Sequence, residues 1–367
     1  MSEMYSNHHS LRISAVQLLT DDSICVSFDI PETLKSTFEF LPGQYLTLID
    51  DIQGQETRRS YSICSGLNDG RLRVAIKRVK GGLFSNHAND CFKPDYSLKV
   101  LPPQGNFSVS LNEKSQKNYM CIAVGSGITP ILSVIKSVLH AEPESQVTLV
   151  YGNRNTGSMM FREELSFLKN AHIQRFKWIN VMSREDQGSD LFKGHIDNKC
   201  GYLLQKHKLI DIRNTHEAFI CGPESMMSEV SRGFRLEGLT DDQIHYELFA
   251  SSAEDAEVAL KKAKERVEQY GEEKTSQVTL IADGRSVEFD LTAVGENILD
   301  AGIHHGLELP YSCKAGVCST CKAKLVSGEV DMDIAHGLEP REIEEGLILT
   351  CQAHPISDDV IVDFDQR

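Results

Sequence analysis

Four cysteines near the C-terminal end constrain this chain more than any other feature. Cys313, Cys318, Cys321 and Cys351 are spaced C-x4-C-x2-C-x29-C, the plant-type pattern in which four thiolates hold a [2Fe–2S] cluster. The loop joining the first three consists mostly of small residues, which let backbone N–H groups approach sulfur atoms. Zinc also takes four thiolates, but zinc ribbons usually space both pairs as C-x2-C, and only one pair does so here. The spacing therefore predicts a metal site at these cysteines and favours the cluster over zinc.

The six other cysteines show no such spacing. Five of them stand alone among apolar neighbours, and we interpret these as small buried hydrophobic residues. The chain has no run of about 18 apolar residues and no secretory signal pattern at its start. We therefore expect a cytoplasmic protein with reduced thiols and no membrane partner.

Acidic residues outnumber basic ones, 53 to 38, which gives a formal net charge of −15. Such a balance argues against broad binding to phosphate backbones, so a nucleic-acid partner is not expected. The excess is concentrated at residues 272–367, where 19 acidic and 7 basic residues give a net charge of −12. This asymmetry indicates a separate acidic module.

Residues 1–113 carry the alternation and turn signals of an antiparallel β-barrel. One helix is predicted within it, at Phe84–Cys91. The predicted strands are His9–Leu19, Ser23–Ile30, Gln44–Asp50, Thr57–Ser65, Arg71–Val79 and Ser97–Leu101.

Residues 114–250 alternate strands with helices, which predicts a doubly wound parallel α/β sheet. The predicted strands are Asn118–Val124, Val147–Tyr151, Phe176–Met182, Ala218–Cys221 and Ile244–Phe249. The predicted helices are Thr129–His140, Met159–Lys169, Asp197–Lys206 and Glu224–Leu236.

Residues 251–275 are charged and rich in alanine, and we interpret them as a linker that lets the last module swing. The sequence leaves the conformation of this segment open, with a helix in its middle as one alternative. Residues 276–367 form a third domain in this interpretation. Its predicted elements are strands at Val278–Ile281, Ser286–Leu291 and Val360–Phe364 and a helix at Ile298–His304.

Two motifs in the first domain suggest a flavin site. The run Arg59–Ser62 (R-x-Y-S) lies on a predicted strand, where Arg59 can pair with a phosphate. Tyr61 and Ser62 can then pack on a flat polar ring and form hydrogen bonds with it. The segment 81–85, GGLFS, opens a predicted helix, whose N-terminus suits a pyrophosphate. Arg59 as an ordinary exposed charge is the alternative, but the order of the two motifs favours the flavin.

Two further motifs in the second domain suggest a nucleotide site. The segment Gly125–Pro130 (GSGITP) follows a strand and starts a helix, where glycines let the backbone approach a pyrophosphate. The segment Cys221–Met226 (CGPESM) ends a later strand of the same sheet. Strand ends of such sheets line the ligand crevice, so both loops can face one nicotinamide. A tight turn is the alternative for the first motif taken alone.

Taken in order, R-x-Y-S, G-x-G-x-x-P, C-G-P-x-x-M and the cysteine loop resemble the ferredoxin-NADP reductase-like oxygenase reductases that carry a C-terminal plant-type ferredoxin. The resemblance covers 9–249 and 277–367. It implies three domains: an FAD-binding β-barrel, an NAD(P)-binding α/β domain and an α+β, β-grasp-like ferredoxin domain. One branch, the phthalate dioxygenase reductase type, uses FMN, which stays the alternative flavin.

The resemblance also implies roles for individual residues. The expected flavin contacts are Arg59, Ser60, Tyr61, Ser62, Ile76, Lys77, Gly82 and Ser85, with Glu247 and Phe249 closing over the flavin. The expected nucleotide contacts are Gly125, Gly127, Thr129, Pro130, Gly222, Pro223 and Met226. Cys221 is expected near the nicotinamide C4, and Cys221, Thr129 and Glu247 form the expected catalytic set. A nucleophilic Cys221 is the alternative, but the sequence shows no base beside it.

We predict NADPH rather than NADH as the donor. The 2′-phosphate of NADPH requires cations near the ends of the second and third strands of the nucleotide domain. Arg154 follows the second of these strands, and Ser183 and Arg184 follow the third. The alternative is that both arginines are ordinary solvated charges of an enzyme that uses NADH.

These features predict an oxidoreductase that passes electrons from NAD(P)H through a flavin and a [2Fe–2S] cluster to an oxygenase. The resemblance alone implies the identity of the partner, which we expect to be a multi-subunit di-iron epoxidase that docks near the acidic ferredoxin domain. The reductase of a Rieske ring-hydroxylating or steroid hydroxylase system is one alternative, and a non-catalytic iron–sulfur redox sensor is another. The acidic residues expected to flank the cluster are Asp331, Asp333, Glu339, Glu342, Glu344 and Glu345.

Overall fold

The computed structural model of the chain describes residues 8–249 and 253–366. The chain divides into two compact units, one spanning His8–Glu247 and the other beginning at Leu248. The first unit contains two sheets and the second unit contains another two. Short 3-10 helices lie at Glu32–Leu34, Gly125–Gly127, Thr156–Ser158, Asp190–Phe192 and Asp241–Gln243.

The first sheet of the first unit is antiparallel and has six strands in the order β4-β3-β6-β1-β2-β5. A bridge between Ile63 and Val74 connects the two outer strands, so the sheet curls into the expected barrel. Alternate apolar side chains such as Leu46, Leu48 and Val26 fill its interior and are fully buried. The elements are β1 His9–Thr20, β2 Ser23–Asp29, β3 Tyr45–Ile52, β4 Gln55–Ser62, β5 Leu72–Lys77, α1 Leu83–Cys91 and β6 Ser97–Val100.

The second sheet is parallel, with five strands in the order β11-β10-β7-β8-β9. The chain starts at the central strand β7, builds outward on one side and then returns to the other, so a switch point lies beside β7. Its strands are β7 Asn118–Val124, β8 Gln146–Asn153, β9 Phe176–Met182, β10 Glu217–Cys221 and β11 Ile244–Glu247. Its helices are α2 Ile128–Ala141, α3 Arg162–Ala171, α4 Asn198–Lys206 and α5 Glu224–Leu236.

Two boundaries in this sheet differ from the predicted ones. Helix α3 begins at Arg162 rather than at Met159, because Phe161 has a left-handed φ of 58°, which cannot continue a helix. Strand β11 ends at Glu247, two residues before the predicted end at Phe249.

Helix α2 packs directly on the barrel segment that follows β4. The Ser133 hydroxyl donates a hydrogen bond to the Ser65 carbonyl at 2.6 Å. A Cβ atom at Gly66 would lie 2.7 Å from the Cβ of Lys136, so only glycine permits this close approach. The helix that begins at the GSGITP loop is therefore fixed against the barrel.

Four charged side chains reinforce this junction, and we name them the junction cluster: Asp69, Arg73, Lys136 and Glu164. Arg73 Nη2 lies 2.9 Å from Asp69 Oδ2 and 2.8 Å from Glu164 Oε1. Lys136 Nζ contacts Asp69 and lies 2.5 Å from Glu164 Oε1. All four side chains are largely removed from solvent, so the two domains share one nearly buried ion network.

The second unit is an α+β domain built on a five-stranded sheet of order β13-β12-β18-β14-β16 and a two-stranded sheet of β15 and β17. Helix α7 supplies Ile298 and Leu299 to its core. The strands are β12 Thr275–Ala282, β13 Arg285–Thr292, β14 Lys322–Ser327, β15 Val330–Met332, β16 Leu347–Leu349, β17 Ala353–Pro355 and β18 Asp359–Asp363. The helices are α6 Ala253–Tyr270, α7 Ile298–His304 and α8 Pro340–Glu344.

The segment interpreted as a linker contains the 18-residue helix α6. Its inward face includes Asp255, Lys262 and Arg266, spaced seven and four residues apart. These side chains form ion pairs with the rest of the second unit. Most of this segment is therefore a docked helix rather than free chain. No helix within the described ranges is long and apolar enough to cross a membrane.

Candidate functional site

Strand β4 carries the R-x-Y-S run at the edge of the barrel sheet. Arg59 is exposed, and its Nη1 donates to the Arg58 carbonyl at 2.7 Å. The Tyr61 ring lies 5.8 Å from the ring of Phe84 on α1, and burial raises the pKa of Tyr61 above its ordinary value. Ser60 lies between Arg59 and Tyr61 in the sequence, and its hydroxyl oxygen is 3.4 Å from the hydroxyl oxygen of Thr47. The strand thus offers a solvent-facing cation beside a fixed aromatic ring.

Hydrogen bonds from Val79 and Asn86 hold the loop before α1, and the first N–H groups of this helix have no side-chain cap within the described ranges. The amide of Val79 donates to the Ser85 hydroxyl at 3.0 Å, and Asn86 Nδ2 donates to the Gly82 carbonyl at 2.6 Å. A Cβ atom at Gly82 would lie 2.8 Å from Ser85 Oγ. Within the described ranges, no side chain caps the N-terminus of α1. An uncapped helix start of this kind fits an anionic phosphate group.

Ile76 and Lys77 end strand β5 next to this loop. The Ile76 side chain is fully buried in the barrel core, so only its backbone is available to a ligand. Its carbonyl already accepts a hydrogen bond from Asn89 Nδ2 at 3.2 Å. Lys77 Nζ lies 3.5 Å from Asp22 Oδ2 and is partly exposed.

The GSGITP loop forms a 3-10 turn between β7 and α2. Gly125 has a φ of 56°, and the Tyr151 hydroxyl donates to its carbonyl at 3.0 Å. The Thr129 hydroxyl donates to the Ser126 carbonyl at 3.0 Å. Pro130 occupies the first turn of α2, where its missing N–H costs no hydrogen bond. No described side chain caps this helix start, which again leaves N–H groups for a phosphate.

The CGPESM loop packs directly on the GSGITP loop. A Cβ atom at Gly127 would lie 2.2 Å from the Cys221 carbonyl oxygen, so no larger residue fits there. A Cβ atom at Gly222 would lie 2.6 Å from Met226 Cε. Pro223 precedes the first residue of α5 in extended conformation. The structure therefore brings the two predicted nucleotide loops together on both sides of the switch point.

Strand β4 of the barrel meets strands β10 and β11 of the parallel sheet at Ser62, Cys221 and Glu247. The Ser62 hydroxyl donates to Glu247 Oε2 at 3.0 Å, and Cys221 pairs with Glu247 in the register of β10 and β11. Burial, opposed by the Ser62 hydrogen bond, raises the pKa of Glu247 to about 8. Burial, with the nearby Glu247, raises the pKa of Cys221 well above its ordinary value. A neutral, fully buried thiol is a poor nucleophile, which argues against covalent chemistry at Cys221.

The loops after β8 and β9 are joined to each other by hydrogen bonds. The amide of Arg184 donates to the Arg154 carbonyl at 2.8 Å, and the amide of Ser183 donates to Asn153. Glu185 accepts from the Thr156 hydroxyl at 2.6 Å. Both arginine side chains are exposed. The pairing holds the backbones of the two arginines together at the carboxyl ends of the strands.

Phe249 lies beyond the boundary at Leu248, in the second unit, and is 44% exposed. Its predicted contact with the flavin stays a prediction.

The cysteine loop joins α7 to β14 in the second unit. The amide of Ala315 donates to Cys313 Sγ at 3.3 Å, and the amide of Cys313 donates to Cys318 Sγ at 3.4 Å. A hydrogen bond from the Cys318 thiol, with backbone N–H groups, lowers the pKa of Cys313 to about 6. Cys321 and Cys351 are buried, whereas Cys313 and Cys318 are partly exposed. A site formed by these thiols therefore lies near the surface of the unit.

Thr350 brings the distant fourth cysteine to the loop. Its amide and hydroxyl both donate to the Cys321 carbonyl, at 3.2 and 2.8 Å, and Cys351 follows directly. A Cβ atom at Gly316 would lie 2.8 Å from the Ile334 carbonyl oxygen. Four thiols, with N–H donors aimed at the sulfurs of Cys313 and Cys318, fit the chemistry of an iron–sulfur cluster.

Sequence reasoning missed several supporting residues. Asn86 and Tyr151, which fix the backbone at Gly82 and Gly125, lack any motif of their own. Asn86 lies one residue beyond the GGLFS segment and could have been found by extending that motif. Strands β14 to β17 were also missed, because three of these four strands have only three residues.

Comparison with protein families assigns one model to each predicted domain. An oxidoreductase FAD-binding domain matches residues 10–109, an oxidoreductase NAD-binding domain matches 121–232, and a 2Fe-2S iron-sulfur cluster binding domain matches 280–355. These matches confirm FAD, NAD(P)H and a [2Fe–2S] cluster as the cofactors predicted from the sequence, and they confirm the fold class.

Similar proteins cover nearly the whole chain. One component of the 1,2-phenylacetyl-CoA epoxidase from Escherichia coli is 42% identical over 361 residues, 98% of each chain. The ferredoxin reductase component of 3-ketosteroid-9-alpha-monooxygenase from Mycolicibacterium smegmatis is 33% identical and covers 97% of each. The solved structure of phthalate dioxygenase reductase has a TM-score of 0.58 at 22% identity, covering 97% of this chain and 98% of that one.

Proposed function

This chain belongs to the family of reductase components that serve oxygenases, and we propose that it passes electrons from NADPH to the oxygenase of phenylacetyl-CoA epoxidation. Membership follows from 42% identity across 98% of the chain and from the three matched domains. The chain is thus an NAD(P)H-dependent electron-transfer oxidoreductase. The nucleotide, the oxygenase and the roles of individual residues are the proposal.

The observation that carries the proposed electron path is the meeting of Ser62, Cys221 and Glu247 at one point. When bound, FAD would supply the conversion between a two-electron hydride donor and a [2Fe–2S] cluster, which can take only one electron at a time. Tyr61 and Ser62 would hold the flavin ring, and Arg59 and the start of α1 would hold its phosphates. The packed loops at Gly127 and Gly222 would place the nicotinamide beside Cys221.

Glu247 and Cys221 would shape the site without reacting covalently. A carboxyl group with a pKa of about 8 is mostly protonated at neutral pH, so Glu247 adds little negative charge next to an electron-rich ring. The Cys221 thiol is fully buried, and its backbone carbonyl packs against Gly127 of the GSGITP loop. Thr129 donates a hydrogen bond from its hydroxyl to the Ser126 carbonyl and would thereby fix the backbone of the GSGITP loop. These three residues therefore orient the reactants and exclude water.

We propose NADPH as the donor because Arg154 and Arg184 lie on joined loops at the ends of β8 and β9. In the described part of the chain neither side chain forms an ion pair, so both cations are available to a 2′-phosphate. The preference is measured as kcat/KM for each nucleotide with ferricyanide as acceptor. A preference for NADH of tenfold or more would overturn this part of the proposal.

The partner proposed is the multi-subunit di-iron oxygenase of the epoxidase, which would place the chain in phenylacetate degradation. The support is the full-length similarity to a component of that enzyme in Escherichia coli. Relatives serving a 3-ketosteroid monooxygenase make that oxygenase the natural comparison. A cytoplasmic site of action accompanies this proposal, because the six cysteines outside the proposed cluster site are free thiols.

Coupled turnover tests the partner. The reductase, NADPH and purified phenylacetyl-CoA oxygenase should convert phenylacetyl-CoA, and the rate should fall as salt rises if charges steer docking. The 3-ketosteroid oxygenase serves as the control acceptor. Turnover with the steroid oxygenase and none with the epoxidase would refute the proposed partner, while leaving the reductase class intact.

A further inference from the structure

Helix α6 lies against the segment 331–337, which in turn covers the cysteine loop. Its Arg266 is 4% exposed, and Nη1 donates to Asp331 Oδ2 at 2.5 Å and to Asp333 Oδ1 at 2.7 Å. Lys262 Nζ donates to the Met332 carbonyl at 2.5 Å. The helix is therefore attached by charged groups near its C-terminal end.

The other end of α6 holds the same segment. Asp255 Oδ1 lies 2.8 Å from His336 Nε2. The helix thus contacts both ends of 331–337 and runs antiparallel to it. Its docking depends on ion pairs more than on apolar contacts, because Val258 and Leu260 on the same helix are exposed.

The segment 331–337 contacts the cysteine loop at two points. The amide of Gly337 donates to the Gly316 carbonyl at 2.9 Å, and the Ser319 hydroxyl donates to the Gly337 carbonyl. The Ile334 carbonyl closes the space over Gly316. Gly316 lies between Cys313 and Cys318, and Ser319 directly follows Cys318. A shift of the segment 331–337 would therefore displace the backbone of the cysteine loop.

A second path runs through the residue after Cys351. The amide of Asp333 donates to the Gln352 carbonyl at 2.9 Å, and Gln352 Nε2 donates to the Lys314 carbonyl at 3.1 Å. Arg266 therefore acts on the cysteine loop through Asp333 and Gln352 as well as through Gly337. The two paths reach Lys314 and Gly316, the neighbours of Ala315, whose amide donates to Cys313 Sγ.

We infer that α6 is a strap belonging to the ferredoxin domain, and that Arg266 is a positioning residue that sets the reduction potential and the retention of the cluster. Hydrogen bonds to sulfur and outer contacts of the ligands control both properties. The inference rests on the proposed cluster ligands. It gives residues 253–270 a role in electron transfer that a passive linker would not have.

The test uses the full-length holoprotein and three variants. Arg266→Met removes the charge while keeping an unbranched side chain, Arg266→Lys keeps the charge, and Lys261→Met alters a side chain of the same helix that is 78% exposed. The readouts are the midpoint potential of the cluster, its electron paramagnetic resonance spectrum and its half-life in the presence of an iron chelator.

We expect Arg266→Met to shift the potential and to shorten the half-life about tenfold, the lower end of the usual outer-contact effect. Arg266→Lys should recover most of both, and Lys261→Met should match the wild type. Flavin reduction by NADPH should be unchanged in all three. If Arg266→Met folds poorly, Asp333→Asn probes the same pair from the other side, with the same expected shift.

Three outcomes would overturn the inference. They are a wild-type potential and half-life in Arg266→Met, an equal change in Lys261→Met, or a lower unfolding temperature with an unchanged potential. Failure of the proposed ligands is distinguishable, because it would appear as a cluster signal that persists in Cys318→Ser, whatever the result for Arg266→Met.

Discussion

The junction cluster provides a quantitative test of how the barrel and the nucleotide domain are held together. Lys136 is 10% exposed and contacts both Asp69 and Glu164. Replacing Lys136 by methionine keeps the packing of its aliphatic chain but removes its charge. The nearly buried carboxylates of Asp69 and Glu164 then have Arg73 as their remaining cation within the junction cluster. Hydrogen bonds to charged groups contribute about 1.5–3 kcal/mol each, and Arg73 compensates for part of the loss. We therefore expect Lys136→Met to lower the free energy of unfolding of the first unit by about 3 kcal/mol.

The assay is urea unfolding of the holoprotein, followed by flavin fluorescence and far-ultraviolet circular dichroism. Coincident transitions are required before a free energy is extracted. For a unit of this size, about 3 kcal/mol corresponds to a drop of about 6–12 °C in melting temperature. Lys35→Met is the matched control, because Lys35 pairs with Glu32 on the exposed surface and should cost under about 1 kcal/mol.

The pH dependence of this loss has a defined sign. Burial raises the pKa of Glu164, but Arg73 and Lys136 outweigh it and hold the pKa below its ordinary value of 4.5. A carboxylate with a lowered pKa stabilises the fold above its unfolded pKa and loses that effect as pH falls. The difference between wild type and Lys136→Met should therefore be full at pH 7 and should shrink below about pH 4.5.

A double-mutant cycle with Glu164→Gln separates the pair from general damage. The two substitutions should be non-additive by about 0.5–3 kcal/mol. Additive effects, or a loss at Lys136 no larger than at the exposed Lys35, would refute the view that this network fastens the two domains.

Three further results are expected at the proposed sites. Cys318→Ser should abolish the reduced-state paramagnetic signal of the cluster while NADPH still reduces the flavin, and Cys91→Ser should keep the signal; a persisting signal in the first variant contradicts the ligand assignment. Because the pKa of Glu247 is raised to about 8, its carboxyl charges as pH rises through that value, so flavin reduction should slow there, and stopped-flow profiles of Glu247→Gln should lack the inflection. Joint replacement of Arg154 and Arg184 by alanine should lower kcat/KM for NADPH about tenfold or more with little change for NADH, whereas equal losses for both nucleotides would argue against 2′-phosphate binding.

Local motifs made much of the fold and the candidate site predictable. The GSGITP and CGPESM segments each combine a strand end, glycines and a helix start, so their placement depends on neighbours in sequence. The hydrogen bond between Ser62 and Glu247 joins residues 185 positions apart, and no spacing rule encodes it. Helix α6 shows an intermediate case. Its inward positions follow helical periodicity, but they carry charges, which a search for apolar stripes reads as a solvated face.

The acidic residues of the last module also include side chains that the sequence suggests are solvated but that are ion-paired in the structure. Counting residues assigns a net charge of −12 to the acidic module, with seven carboxylates between the third and fourth cysteines. The structure places Asp331 and Asp333 against Arg266, and Glu342 lies 2.6 Å from Lys322. Paired carboxylates contribute little to a long-range field, because the cation beside them cancels most of it. Electrostatic steering of a partner would therefore depend on the unpaired acidic side chains near the cysteine loop more than on the total charge of the module.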